Sequence, residues 1–172
     1  MSKAGFDALY REHYHRVLGL CRRMLGDAGD AEDATQEVFM RGYRAFGRYQ
    51  SRDPFGPWIN TIASNHCIDL LRQRKRLTAV IADDDDAMLE IGDDAESAVA
   101  KLINNHDAEA INHAVAALPE QYRLPIVLAY YADASYDEIA QSLSVTRNHV
   151  GVLLLRGKRQ LRRLLEESGH DA

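Results

Sequence analysis

Apolar residues recur along most of the chain at every third or fourth position, which is the spacing of α-helices. No run alternates apolar and polar residues for long enough to predict a strand. In the first half the pattern predicts a helix from about Phe6 to Leu25 and a second one with its N-cap near Asp30. A third is predicted to start at Pro57, because proline suits the first turn of a helix, and to end in a basic turn.

The helical period returns in the second half of the chain and predicts four more helices, the first two over 98–118 and 120–131. Ser135 and Glu138 have the spacing of a capping box, which marks the start of a short helix. Thr146 is the predicted N-cap of a long, basic last helix. Two helices joined by a tight turn, the second ending in basic residues, predict a helix-turn-helix.

Charge divides the chain more sharply than the net value of −5 suggests. Residues 83–96 carry eight acids and no base, so the rest of the chain is net basic. A segment so poor in apolar residues cannot bury a core of its own. We therefore expect an all-α protein with two small helical domains, at 1–77 and 101–172, joined by a flexible acidic linker over 78–100.

The composition argues against several classes of protein. No apolar run approaches the roughly 20 residues of a membrane span, and the start has no signal peptide, so we expect no membrane insertion and a cytoplasmic location. Cys21 and Cys67 are the only cysteines and are expected to be buried free thiols. His13 and His15 point about 200° apart on a helix and cannot chelate together. We expect no metal, no cofactor and no catalytic residue, because no nucleophile or phosphate-loop motif is present either.

One face of the second helix carries acids, an amide and a methionine, while the opposite face is apolar. Such a stripe is either a solvated face or a protein contact, and the exposed methionine favours a contact. Its residues are Asp33, Gln36, Glu37 and Met40.

Aromatic residues precede and open the third helix, whose last turn is basic. This combination suits single-stranded nucleic acid, because unstacked bases lie on rings while cations meet phosphates. Asn65 on the same helix can bond a base edge. The alternative is that Phe46, Phe55 and Trp58 are core residues, since large aromatics are usually at least partly buried.

Two stretches together resemble a known family. "DAEDATQEVFMRGYRAFGRY" followed by "FGPWINTIASNHCIDLLRQRKR" is similar to region 2 of the sigma-70 family, in its extracytoplasmic-function (ECF) group. "ALPEQYRLPIVLAYYADASYDEIAQSLSVTRNHVGVLLLRGKRQLRRLL" is similar to region 4 of the same group. A lone helix-turn-helix would be weak evidence, but two independent motifs in the family's order are specific.

The resemblance implies an initiation factor of bacterial RNA polymerase with no catalytic activity of its own. Its partners would be core RNA polymerase, through the clamp helices of the largest subunit and the flap of the second-largest subunit, and promoter DNA; an anti-sigma factor is a further partner in many relatives. Asp33, Gln36 and Glu37 match the family's clamp-helix contacts, with Met40 beside them. The alternative, a stand-alone helix-turn-helix regulator, leaves the first half unexplained.

The resemblance also implies two DNA-binding sites. The first site captures flipped bases and opens the strands at the −10 element. Its matching positions are Phe46, Tyr49, Trp58 and Asn65, with Arg72, Arg74, Lys75 and Arg76 as phosphate contacts.

The last helix departs from the family, which usually has basic or small polar residues where this chain has Gly151, Val152 and Leu153. With Val150 facing inward, the helical period places Val152 and Leu155 outward, to meet thymine methyl groups or an inhibitory partner. Ser144 stands where such turns commonly have glycine, which predicts a strained left-handed backbone. The expected −35 contacts are Arg147, Asn148, His149, Val152, Leu155, Arg156 and Arg159.

Overall fold

The computed structural model describes residues 3–49, 54–74 and 94–169, and within these ranges all regular structure is helical. The all-α class is thereby confirmed. The chain divides into two compact units, Met1–Leu71 and Arg72–Ala172. The helices of the first half are α1 (Lys3–Leu25), α2 (Ala28–Ala45), a single 3-10 turn (Phe46–Arg48) and α3 (Phe55–Gln73). Those of the second half are α4 (Asp94–Asn104), α5 (Ala108–Ala117), α6 (Glu120–Tyr131), α7 (Tyr136–Leu143) and α8 (Arg147–Glu167).

The junction between α1 and α2 is set by one glycine and one aspartate. Gly26 has a φ of 81°, a left-handed conformation that glycine adopts at no steric cost, and α1 ends there. The side chain of Asp27 then accepts a hydrogen bond of 2.9 Å from the backbone N–H of Asp30. The N-cap predicted near Asp30 is therefore wrong by three residues, because Asp30 is the donor in this cap and lies in the first turn of α2.

Close helix packing forms the core of the first unit. A Cβ added to Gly42 of α2 would lie 2.8 Å from Cδ1 of Ile59 of α3, so a larger residue there would require the Ile59 side chain to shift. Cys21 of α1 and Cys67 of α3 are free and fully buried, as predicted. The hydrogen bond between the two thiols, together with burial, raises the pKa of Cys67, which stays protonated.

The second unit is arranged around α8, against which α4, α5, α6 and α7 all pack. Gly157 of α8 allows this approach, because a Cβ there would lie 2.8 Å from Cδ1 of Ile126 and 3.3 Å from Cβ of Tyr122.

The single helix predicted over 98–118 is in fact two, α4 and α5. The chain leaves the helix after Asn104, and the ring of His106 bonds the carbonyl of Leu102 at 2.8 Å, an acceptor that the broken helix leaves free. Asp107, a favoured N-cap residue, then precedes α5. The helix α4 begins at Asp94, so the prediction of a flexible linker over 78–100 is wrong for residues 94–100. The rest of the predicted linker, residues 78–93, lies outside the described residues.

Both caps of the helix-turn-helix are as predicted. Ser135 and Glu138 form a reciprocal capping box, each side chain accepting the other's backbone N–H at 3.2 Å. The side chain of Thr146 accepts from the N–H of His149 at 3.1 Å and starts α8. Between the helices Ser144 has a φ of 58° and a ψ of 44°, the left-handed conformation that a serine adopts at a steric cost.

Ser144→Gly is expected to raise the free energy of unfolding by about 1 kcal/mol, because it removes the Cβ from a left-handed residue. Urea denaturation measures the change. Ser144→Ala is the matched control, since it removes the hydroxyl and keeps the Cβ. An equal gain in the alanine variant would contradict the explanation.

Candidate polymerase and promoter interfaces

The two faces of α2 are as the sequence pattern predicts. Thr35, Val38, Phe39 and Gly42 are buried. Asp33, Gln36 and Met40 are exposed on the opposite face, with Glu37 partly exposed beside them. We call these last four residues the docking stripe.

An ion pair within α2 fixes the charge of the docking stripe. Nε of Arg41 donates to Oε1 of Glu37 at 2.9 Å. This hydrogen bond lowers the pKa of Glu37, so the carboxylate is ionised at neutral pH. Both side chains are substantially exposed, so the pair contributes little to stability. Arg41 neutralises Glu37 locally, so the exposed Asp33 carries the negative charge of the stripe next to its amide and its methionine.

Tyr43 extends this surface and was missed by the sequence analysis. It is 51% exposed, as is Met40 one turn before it. Residues three apart on a helix are neighbours, so the two side chains form one apolar patch beside the acids. The spacing from Met40 is the signal that could have identified Tyr43.

Phe46, an expected base contact, is a core residue. It is 7% exposed and Phe55 is 5% exposed. Both rings meet Phe6 edge to face, with centroid distances of 5.2 and 6.2 Å. The expectation that Phe46 presents its own ring to a base is wrong, because helices α1 and α3 supply aromatic neighbours that cover it.

Tyr49 and Trp58 lie at the half-buried edge of the same aromatic cluster. The ring of Tyr49 stacks on Phe46 at 5.6 Å with an interplanar angle of 10°, and it lies 5.0 Å from the Trp58 ring. The two rings are held by the core and keep part of their surface in solvent. We call the pair the aromatic platform.

A polar stripe continues from the platform along α3. Trp58, Asn65 and Arg72 are seven residues apart and therefore share one face of the helix. Successive members are separated by about 10 Å along the helix axis. Asn65, Arg72 and Arg74 are exposed. Lys75 and Arg76, the remaining predicted phosphate contacts, lie outside the described residues.

The accessible polar side chains of α8 lie before and after a buried run at residues 150–154. At the first end Arg147 and Asn148 are exposed, and His149 is partly buried. Further along, Arg159 is exposed, and Arg156 is partly buried.

The prediction that Val152 faces outward is wrong. Val152 is 0% exposed, and its neighbour Leu153 is 2% exposed. The helical period assigns one inward face, whereas α8 has four helices packed against it. A fully buried valine contacts neither a thymine methyl group nor an inhibitory partner. Leu155, the other predicted outward apolar residue, is partly exposed.

Two features are absent from the described ranges. No three His, Cys, Asp or Glu side chains there come together in a way that could hold a metal ion. None of the helices in the same ranges is both long and apolar enough to cross a membrane.

Comparison with known proteins matches both halves of the chain to one family. The sigma-70 region 2 model matches residues 9–77, and the sigma-70 region 4 model matches residues 108–161. The ECF RNA polymerase sigma factor SigW of Bacillus subtilis is 30% identical over 157 residues, which are 88% of this chain and 84% of SigW. The chain belongs to the ECF group of the sigma-70 family.

Further similarities agree with this assignment. The ECF RNA polymerase sigma factor SigE of Mycolicibacterium smegmatis is 32% identical over 169 residues, which are 96% of this chain but 63% of the longer SigE. Among solved structures, the sigma factor RpoE of Bartonella quintana, in complex with the anti-sigma factor NepR, has the same fold, with a TM-score of 0.63 at 16% identity. The alignment covers 94% of this chain and 97% of RpoE. The chain is thus a transcription initiation factor.

Val152→Lys is expected to lower the free energy of unfolding of this sigma factor by about 3–5 kcal/mol, because a buried ammonium would have no partner. Leu155→Lys is the comparison variant, and its loss should be smaller because Leu155 reaches solvent. Chemical denaturation of both variants measures the difference. A stable Val152→Lys variant with altered base preference would restore the outward placement of this side chain.

Proposed function

We propose that the first unit of this sigma factor both binds core RNA polymerase and opens the −10 element, while the second unit binds the −35 element as duplex DNA. The observation that supports this division is the presence of the docking stripe and the aromatic platform on one unit, within Met1–Leu71. A stand-alone regulator needs neither surface. The proposed domains are those expected from the sequence, 1–77 and 101–172, with the second one extended to begin at Asp94.

The docking stripe suits a basic, partly apolar partner surface. Asp33 and Glu37 supply negative charge, Gln36 supplies an amide that donates and accepts, and Met40 with Tyr43 supplies apolar area. Charges at such an interface accelerate encounter and set orientation, while the apolar pair gives buried contact. We assign the clamp helices of the largest polymerase subunit to this stripe and the flap of the second-largest subunit to the second unit.

Strand opening would use the platform and the polar stripe of α3. Unstacking a base costs a few kcal/mol, and stacking on an aromatic ring returns about 1–3 kcal/mol per base. Tyr49 and Trp58 provide the rings, and Asn65 provides hydrogen bonds to a base edge. Arg72 and Arg74 follow at the end of α3, where they meet phosphates of the displaced strand.

The polymerase supplies all the chemistry, so the sigma factor itself is not an enzyme, and it acts in the cytoplasm with the polymerase. An anti-sigma factor is a proposed partner, because RpoE is held by one and because the apolar patch of Met40 and Tyr43 is exposed. Such a partner would compete with core polymerase for the chain, and simultaneous binding of both would contradict it.

The double variant Asp33→Lys with Glu37→Lys is expected to weaken binding to core polymerase by more than about tenfold, because like charges at an interface cost several kcal/mol. Fluorescence titration of labelled sigma factor with purified core polymerase measures the affinity. Asp7→Lys, an exposed charge reversal on α1, is the control and should bind normally. Equal affinities for the double variant and the control would exclude the stripe as the docking site.

Trp58→Ala is expected to slow promoter opening by about tenfold, the loss of one base–aromatic stack, without loss of polymerase binding. Permanganate reactivity of unpaired thymines follows the opening. Trp58→Phe keeps a ring and should open the promoter at a rate closer to wild type. A promoter with mismatched bases in the −10 element should rescue Trp58→Ala, and a defect of the same size on that template would show that the ring acts elsewhere.

A further inference from the structure

The first residue of the recognition helix is held by the helix before it. Arg147 opens α8, and its Nη1 lies 3.1 Å from Oδ2 of Asp137 in α7. The guanidinium carbon also lies 5.5 Å from the centre of the ring of Tyr136. Two consecutive residues of α7 therefore contact the same cation, one through charge and the other through its aromatic face.

The stability of α8 does not explain why an arginine occupies its first position. The N-terminus of a helix carries a partial positive charge, which disfavours a basic residue there. The first turn of α8 contains no acid to compensate for Arg147. The compensating carboxylate comes from Asp137, which is itself well placed in the first turn of α7. A residue that breaks a local rule without benefit to its own helix is more often functional than structural.

The ion pair is also too exposed to serve mainly as a stabilising contact. The side chain of Arg147 is 60% exposed and that of Asp137 is 76% exposed. Exposed pairs of this kind contribute little to folding. Their remaining physical effect is orientation, because a long, flexible side chain held at two sides loses less entropy when it binds.

The contact with Asp137 leaves other N–H donors of the Arg147 guanidinium for a ligand. A guanidinium has five N–H donors in a rigid fork, and the contact with Asp137 engages the Nη1 end. The N-terminal residues of a recognition helix are those that reach base edges in the major groove. An oriented guanidinium is matched to the O6 and N7 acceptors of guanine.

We propose that Asp137, together with the ring of Tyr136, is a positioning residue that orients Arg147 to read a guanine in the −35 element. This proposal rests on the proposed function, in which α8 enters the −35 duplex. Asp137 also places a negative charge near DNA phosphates, so it lowers affinity for DNA in general while it raises discrimination. Because residues 150–154 of α8 are buried, this fixed contact at its first residue carries a larger share of sequence reading.

The test is selection of promoter fragments, randomised over the upstream element, by holoenzyme assembled from purified core polymerase and the full chain. Wild type is expected to prefer guanine at one position by about tenfold, and Arg147→Ala should abolish that preference. Asp137→Asn should reduce the preference at the same position by about three- to tenfold and leave the other positions unchanged. Asp137→Glu, which keeps the carboxylate, should recover part of it.

Asp133→Asn is the matched control. Asp133 is an exposed acid just before α7 with a φ of 53°, a conformation that asparagine also tolerates. It undergoes the same charge change, so a general electrostatic effect would raise affinity for non-cognate DNA equally in both variants. Only Asp137→Asn should lose the guanine preference.

Three outcomes would overturn the inference. The first is an unchanged guanine preference in Asp137→Asn, and the second is an even loss at every position, which would indicate a structural role. The third is a further position-specific loss when Asp137→Asn is added to Arg147→Ala, since Asp137 would then act without Arg147. A wild-type holoenzyme that selects no upstream sequence would overturn the proposed function as well.

Discussion

The packing of four helices around α8 is the constraint on which the second unit depends. One helix supplies the centre of that core and is also the helix proposed to meet DNA. Val152 and Leu154 are fully buried, and Gly157 lets the Ile126 side chain approach closely. A side chain cannot be in the core and in the major groove at the same time. The proposed base reading is consequently restricted to residues before and after the buried run 150–154, and the orientation of Arg147 would matter more than on a helix without that run.

In the first unit, core packing and solvent-accessible aromatic surface come from different rings of one cluster. Phe6, Phe46 and Phe55 are buried and form the inner part of the aromatic cluster. Tyr49 and Trp58 pack on this inner part and keep an accessible edge. A ring that must receive an unstacked base benefits from being held in advance, because less order is lost on binding. The buried phenylalanines thus contribute to the proposed site through the rings that they support.

Much of the fold follows from helical periodicity and from caps. The sequence predicts features that depend on residues close together in the chain. These are the two faces of α2, the capping box at Ser135, the N-cap at Thr146 and the left-handed Ser144. The N-cap of α2 was misplaced because two aspartates three residues apart are equally good candidates, and only the structure shows which one accepts.

Features that depend on contacts between different helices could not be predicted from the sequence. The burial of Val152 needs helices far away in the chain, and a helical wheel contains no information about how many neighbours a helix has. Phe46 is covered by Phe6 for the same reason. The ion pair between Asp137 and Arg147 joins two helices across a turn, and the periodicity of one helix contains no information about its contacts with another.

We propose that one chain docks on the polymerase, opens DNA and selects promoters. Run-off transcription with purified core polymerase on genomic fragments tests these three activities together. Transcripts from discrete start sites are expected only when the sigma factor is added. Specific duplex binding by the chain alone, with no transcripts from core polymerase in its presence, would contradict it.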